Sequence, residues 1–211
     1  LMKDCGAVNL RDYFKGSFQE DIFKKGLQSY KSMQKSTIGC VDELIDLGVP
    51  DWRLEKLPCL YQNIIRNSEL LHIIGLEKEK INKLYDFSDE FAVICKELSA
   101  CSVLECFNNC DLKEENMTYE ESIKKVCLID FSESAICHPF FSLLHSLKGI
   151  SRRYFSGKKI IKRKELIDLY FGGYCEQGKE LQKILGLVNL IYPIYLILLR
   201  MHLVKMKSSF L

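Results

Sequence analysis

Three polar side chains are spaced along the chain in a way that suits phosphoryl transfer. Asp111 and Asn116 are five residues apart, and Asp130 follows fourteen residues after Asn116. Phosphoryl transfer needs a carboxylate that orients an acceptor hydroxyl and takes its proton, and oxygen ligands that hold Mg²⁺ against nucleotide phosphates. Mg²⁺ takes few protein ligands and prefers oxygen donors, so one amide and one carboxylate are a suitable supply.

The sequence around these residues indicates how they are positioned. Asp111 lies in a polar loop, residues 117–125 suit a hairpin-like connection, and the apolar run 126–129 predicts a buried strand that ends at Asp130. Spacing alone is a weak signal, because an Asp followed five residues later by an Asn occurs by chance in many proteins. The alternative is two surface loop residues and a carboxylate that caps a strand.

Longer stretches resemble the aminoglycoside-phosphotransferase and choline-kinase-like family, which has a protein-kinase-like fold. Residues 109–116, NCDLKEEN, resemble its H-G-D-x-x-x-x-N catalytic loop, and residues 128–134, LIDFSES, resemble its I-D-[WF] metal motif. Residues 138–143, HPFFSL, are similar to the H-P-F segment that follows that motif. Further upstream, residues 1–11 resemble the hinge strand and its exit, and residues 48–58 resemble a connector seen in relatives.

The resemblance implies a role for each residue of the pattern. Asp111 is implied to be the catalytic base, and Asn116 and Asp130 are implied to be the Mg²⁺ ligands of an ATP- or GTP-dependent kinase. The implied acceptor is a hydroxyl of a small molecule, such as an aminoglycoside or an amino-alcohol. Acids beyond residue 150 suit a cationic acceptor, although a solvent-exposed helix face is the interpretation we favour for them. They are Glu165, Asp168, Glu176 and Glu180.

The resemblance also implies a mainly α fold with a small β element (α+β), corresponding to the C-terminal lobe of a protein-kinase-like fold. Residues 1–10 are expected to be a hinge or linker remnant. Residues 11–211 are expected to form a helical lobe, with the catalytic loop and metal motif at about 103–135.

The nucleotide is implied to lie against the hinge. The backbone of Met2, Lys3 and Asp4 is expected to hydrogen-bond the adenine edge. The N-terminal nucleotide lobe, with its phosphate-clamping Lys, is then absent, so we expect the fragment alone to bind ATP poorly and to turn over little or nothing. The alternative is a truncated, non-catalytic pseudokinase remnant that acts as a binding module.

Three residues depart from the family pattern. Asn109 stands where the family usually has a His, and Lys113 stands where relatives often have a second one. Because the first His organises the loop, we expect Asn109 to weaken the site without abolishing it. Cys110 replaces a Gly, and its side chain is expected to strain a tight turn.

Most of the remaining sequence has helical periodicity. Apolar residues recur at helical spacing from about residue 22 to residue 45, and Gly48 and Pro50 then break the pattern. The longest predicted helix runs from about Glu77 to Ala100. The apolar run at 185–199 is predicted to be a buried C-terminal helix, because about fifteen residues are too few to cross a bilayer. A membrane-peripheral protein that uses this helix is the alternative.

Composition limits the other classes of function. The chain has 211 residues, 47% of them hydrophobic and 27% charged, with a net charge of +2. This balance favours a globular protein and does not predict nucleic acid as a partner. The cysteines favour the cytoplasm, and the short apolar run predicts no membrane as a partner. The basic run at 152–164 is interpreted as a solvated loop that leads into the next helix, with a nucleic-acid patch as the alternative.

Ten cysteines are present, without a CxxC pair. They are interpreted as reduced thiols, most of them buried, because they fall inside apolar runs. Zinc is the alternative, with Cys101, Cys106, Cys110 and His138 as its ligands.

Overall fold

The computed structural model describes residues 8–67, 71, 77–155, 163–174 and 178–208. The helices are α1 (Leu10–Phe14), α2 (Glu20–Thr37), α3 (Val41–Asp46), α4 (Leu57–Arg66), α5 (Lys78–Asp86), α6 (Ser88–Ser99), α7 (Phe140–Tyr154), α8 (Arg163–Phe171) and α9 (Lys179–Ser208). Short 3₁₀ turns span Ile38–Cys40 and Glu114–Asn116. The strands are β1 (Val8–Asn9), β2 (Cys106–Asn109), β3 (Met117–Glu120), β4 (Lys125–Leu128) and β5 (Ser134–Cys137).

The first half of the chain is helical, as its periodicity predicts. On α2 the buried positions Phe23, Leu27, Tyr30 and Gln34 recur every three or four residues, so one face of the helix packs inward. Gly48 follows α3 with a φ of +96°, a conformation that glycine adopts without strain, and the predicted break there is confirmed.

One predicted helix is two helices. The long helix expected from Glu77 to Ala100 is interrupted at Phe87, between α5 and α6. The break falls where Ser88, Asp89 and Glu90 begin a first turn, and acidic residues stabilise the start of a helix. Tyr85, near the end of α5, is 44% exposed.

Two small antiparallel sheets lie between the helices. β2 pairs with β5, while β1, β3 and β4 form a second sheet in the order β1–β3–β4. β3 and β4 are consecutive and pair from Met117–Leu128 to Glu120–Lys125, which confirms the hairpin predicted at 117–125. The prediction of a buried strand before Asp130 is correct only in part. Of the β4 residues only Val126 is buried, because the strand has one solvent-facing side.

The C-terminal helix α9 packs against the hydrophobic core. Ile184, Val188, Ile191, Tyr195 and Leu198 are buried on it. The helix extends beyond the apolar run at 185–199 at both ends, because α9 runs from Lys179 to Ser208. Within the described residues, Lys179–His202 is the one helical stretch long and apolar enough to cross a membrane, and 50% of its most apolar window is buried inside the protein. The predicted burial is thus confirmed for one side of the helix.

Tyr195 connects this helix to the polar loop that contains Asp111. Its ring stacks on Phe141 at 5.1 Å between centroids, and its hydroxyl donates a 3.0 Å hydrogen bond to the carbonyl of Cys110. Both Tyr195 and Cys110 are almost fully buried. A buried carbonyl that loses its donor costs free energy, so this bond holds the loop against α9.

We expect Tyr195→Phe to lower the free energy of unfolding by about 1–3 kcal/mol, because it leaves the Cys110 carbonyl without this donor. Urea unfolding followed by circular dichroism measures the change. Tyr85→Phe is the matched control, since that hydroxyl donates to the Ile65 carbonyl at 3.0 Å from an exposed ring. Equal losses in the two variants would contradict the account.

Candidate active site

Asn109, at the end of β2, joins the two segments that carry the predicted chemistry. Its side-chain Nδ2 donates a 2.7 Å hydrogen bond to the carbonyl of Asp130, and its Oδ1 accepts a 3.0 Å bond from the backbone N–H of Asp111. The residue is 1% exposed. A buried amide with a donor at one end and an acceptor at the other can make both bonds at once. Asn109 therefore organises the loop at the position where the family has a His.

Asp111 and Asn116 are in direct contact. Asn116 Nδ2 donates to the backbone carbonyl of Asp111 at 3.0 Å and to its Oδ2 at 3.2 Å. The Asn116 carbonyl in turn accepts a 3.0 Å bond from the N–H of Ile129, the residue before Asp130. Among the described residues, Asn116 Oδ1 accepts no hydrogen bond, which leaves an amide oxygen for another ligand.

Asp130 lies two residues after the end of β4 and is exposed. Its φ of +55° is in the left-handed region, which aspartate tolerates better than most residues. Its Oδ1 accepts hydrogen bonds from the hydroxyl and the N–H of Ser132, at 2.6 and 3.3 Å. The second carboxylate oxygen, Oδ2, accepts none from the described residues.

Two basic side chains flank the Asp111 carboxylate. Lys113 forms an ion pair with Oδ2, and His145 Nε2 lies 3.7 Å from Oδ1. Burial raises the pKa of Asp111, but hydrogen bonds and charge interactions with His145 and Lys113 outweigh it, so the pKa lies below the usual aspartate value. Asp111 is therefore ionised at neutral pH.

Three residues of this site carry no signal in the sequence pattern. His145 comes from α7, and its Nδ1 lies 3.1 Å from the hydroxyl of Tyr192 on α9. Glu133 is a third carboxyl: burial raises its pKa, and so do the charges of Asp111 and Asp130. Its backbone carbonyl accepts a 2.6 Å bond from the N–H of Cys110.

The chemistry of the oxygen donors fits Mg²⁺. Asn116 and Asp130 offer one amide and one carboxylate oxygen that accept no hydrogen bond from the described part of the chain, and oxygen atoms are the hard donors that this ion prefers. Throughout the described segments, no group of three or more His, Cys, Asp or Glu side chains is suited to hold a metal ion. Mg²⁺ at nucleotide sites typically takes one or two carboxylates and completes its shell with phosphates and water, so a small protein donor set is the expected form.

The zinc alternative receives no support. Cys106, Cys110 and His138 are buried, Cys101 is partly exposed, and each cysteine of the described segments is free. His138 Nδ1 accepts a 3.3 Å bond from the N–H of Phe140, and burial lowers the pKa of His138 to about 3. These residues behave as parts of the core.

A solved structure has the same architecture. A choline/ethanolamine kinase family protein from Mesorhizobium loti superposes on 97% of this chain with a TM-score of 0.53 and 16% identity. The chain has a choline-kinase-like fold. It spans 59% of that protein, and the expected kinase-like lobe, mainly α with a small β element, is confirmed.

Other comparisons give weaker similarity or none. Two structures of an aminoglycoside phosphotransferase, APH(3'')-Id from Streptomyces rimosus, one of them in complex with ADP and streptomycin, match 86% of this chain. Their TM-score is 0.48, their identity is 9% and 10%, and the chain covers 64% and 65% of them. No protein-family model matches the chain, and no curated protein is similar to it.

Several predicted residues lie outside the described part of this kinase-like lobe. Met2, Lys3 and Asp4, expected at the adenine, are among them, as is most of the basic run at 152–164. Arg152 and Arg153 themselves lie in the last turn of α7 rather than in a loop. The domain boundary at residue 10 stays a prediction.

We expect Asp111→Asn to reduce the acid sensitivity of folding. Because the folded-state pKa of Asp111 is lowered, its contribution to stability is present above the unfolded-state pKa of about 3.9 and is lost as the pH falls through the folded-state value. The free energy of unfolding of the wild type should fall more steeply below about pH 4 than that of the variant. Urea unfolding of both proteins at a series of pH values from neutral to below about pH 4 measures the free energy of unfolding. Asp86→Asn, at an exposed position, should keep the wild-type slope, and identical slopes for wild type and Asp111→Asn would contradict the assignment.

Proposed function

We propose that this chain is part of an ATP- or GTP-dependent phosphotransferase that transfers the γ-phosphoryl group to a hydroxyl of a small molecule. The observation that carries the proposal is the Asn109 side chain, which bonds the backbone of both Asp111 and Asp130. These two bonds hold the segments that carry the Asp111 and Asp130 carboxylates next to each other in a kinase-like fold. The fold alone leaves the function open, because one fold hosts many functions.

Asp111 is the proposed base. The acceptor hydroxyl bonds to the γ-phosphorus while the bond between that phosphorus and the leaving oxygen of the diphosphate breaks, and the hydroxyl proton passes to the Asp111 carboxylate. A carboxylate whose pKa is lowered is a weak base, so the orientation of the hydroxyl is its main contribution. Lys113, paired with Asp111, adds a positive charge beside the transferred group, where negative charge must be stabilised.

Asn116 and Asp130 are the proposed Mg²⁺ ligands. When bound, Mg²⁺ neutralises charge on the nucleotide phosphates. The two side chains contribute orientation, because Asn116 is fixed by Asp111 and Asp130 is fixed by Ser132. The nucleotide base is proposed to lie against the backbone of Met2 to Asp4.

The acceptor and the cell compartment remain proposals as well. The aminoglycoside phosphotransferase of Streptomyces rimosus was solved with ADP and streptomycin, which supports a nucleotide and a small-molecule acceptor here. A cationic acceptor, an aminoglycoside or an amino-alcohol, is what the family resemblance implies. We propose that the protein acts in the cytoplasm.

A non-catalytic binding module is the second candidate. The Lys113–Asp111 ion pair favours it, since Lys113 occupies one of the carboxylate oxygens that an acceptor hydroxyl needs. The two candidates differ in what Asp111 does: a base is needed for turnover, whereas a binding module loses little when Asp111 is replaced by its amide.

We expect Asp111→Asn to lower the rate of phosphoryl transfer by about 10²–10⁴-fold in a protein that contains this chain, because proton transfer and hydroxyl orientation are lost. Transfer from γ-labelled ATP and GTP to a panel of amino-sugars, amino-alcohols and hydroxy acids measures the rate. Asp86→Asn is the control for a change of charge alone.

The binding module predicts a different outcome. Mg²⁺-nucleotide would bind without transfer to any acceptor, and wild type and Asp111→Asn would bind it alike. A wild-type rate in Asp111→Asn would likewise contradict the role of Asp111 as base.

A further inference from the structure

A cavity of about 430 Å³ opens beside the loop that carries Asp111, with Lys113 and Glu114 of that loop in its lining. Lys113 and His145, the two side chains that flank the Asp111 carboxylate, line it, together with Glu114, Ser146, Arg152 and Arg153. A molecule in this cavity therefore lies next to the two side chains that flank the proposed base. The cavity is the natural position for the acceptor, and we call it the acceptor cavity.

Positive charge dominates the lining. Lys113, Arg152 and Arg153 are cations, and Glu114 is the one carboxylate among the lining residues. Glu114 is 1% exposed and accepts a 2.6 Å bond from Arg153 Nε and a 3.3 Å bond from the hydroxyl of Tyr154, so its charge is compensated and shielded from the opening.

The carboxylates just behind the lining are also compensated. Asp111 pairs with Lys113, and Glu115 pairs with Arg11 while lying 3.9 Å from Lys113 and 4.0 Å from Arg153. Arg152 differs from these cations. It is exposed, and no carboxylate of the described residues lies within ion-pair distance of it. Arg152 is thus available to bind a ligand in the cavity.

A second cavity extends the positive surface. It measures about 410 Å³, shares Arg153 with the first, and adds Arg11 and Lys15. Its carboxylate, Asp12, accepts a 2.7 Å hydrogen bond from the side chain of Asn9. Of the acids that suited a cationic acceptor, Glu165, Asp168 and Glu180 line neither cavity, and Glu176 lies outside the described residues. Glu165 is exposed and 3.4 Å from Lys24.

We propose that the acceptor of this site is an anion: a small hydroxylated molecule whose carboxylate or phosphate is held by Arg152. This deepens the proposed function and rests on it. A guanidinium offers paired N–H donors that match carboxylate and phosphate oxygens. A choline-like or aminoglycoside cation meets like charge at the same position. The hydroxyl of the bound anion faces Asp111, to which its proton passes when the oxygen bonds to the γ-phosphorus.

Binding without nucleotide tests the ligand class. Isothermal titration of the full chain at low salt uses gluconate as a hydroxylated carboxylate, glycerol 3-phosphate as a hydroxylated phosphate, and inorganic phosphate as an anion without an alcohol hydroxyl. Choline and streptomycin are the cationic probes. We expect at least one of the two hydroxylated anions to bind more tightly than both cations, and the comparison of gluconate with glycerol 3-phosphate identifies the oxyanion.

Two variants locate the binding. Arg152→Gln should weaken binding of the preferred anion about tenfold, the loss expected for one charge-assisted contact. Arg66→Gln, an exposed arginine at the end of α4, is the matched control and should change nothing. Gly149 lines the cavity, and a Cβ there meets no atom within 4 Å, so Gly149→Met should fill the cavity and abolish binding without disturbing the helix.

The outcomes separate the two proposals. Tighter binding of choline or streptomycin, no binding of either hydroxylated anion, or unchanged anion affinity in both Arg152→Gln and Gly149→Met would overturn the anionic acceptor. Anion binding that the two variants remove supports it, even where no phosphoryl transfer follows. In that case the proposed catalysis fails while the ligand class of the cavity stands.

Discussion

The pair of hydrogen bonds made by the buried Asn109 side chain sets the relative position of the loop at Asp111 and the strand end at Asp130. An amide satisfied at both ends has one orientation, and rotating it would leave both backbone partners without these bonds. The two small sheets also position Asn109 and Asp130. β2 delivers Asn109 against β5, and the hairpin of β3 and β4 returns the chain to Asp130.

Charge balance is the second constraint on the site. Asp111, Asp130 and Glu133 place carboxylates near one another, and the raised pKa of Glu133, from burial and from the other two charges, records their mutual repulsion. Lys113 and His145 offset that repulsion at Asp111. Lys113 thus has a structural as well as a chemical role, because its charge helps the partly buried Asp111 carboxylate to stay ionised.

The local pattern of the sequence predicts the local parts of this arrangement. The loop, the hairpin and the strand before Asp130 are short-range features, so residue types and spacing identify them. His145 and Tyr192 lie on helices far along the chain, and only packing brings them to Asp111. Periodicity likewise cannot distinguish one long helix from α5 and α6, because the apolar spacing continues across Phe87.

The resemblance to the kinase-like family predicts more of the fold than residue spacing does, but it does not establish the roles of the site residues. The kinase-like lobe is confirmed, whereas the roles of Asp111, Asn116 and Asp130 remain proposals that the geometry supports. The departure at position 109 shows the difference. A motif comparison treats Asn109 as a defect, and the hydrogen bonds show an amide that holds the loop in place.

Tyr192 and Tyr195 are three residues apart on α9, about one turn. One supports His145 beside the carboxylate, and the other supports the backbone of the loop that carries it. A slide or rotation of this helix would therefore displace both supports together. Movement of α9 is therefore coupled to movement of the loop that carries Asp111, although some eighty residues of sequence separate Cys110 from Tyr195.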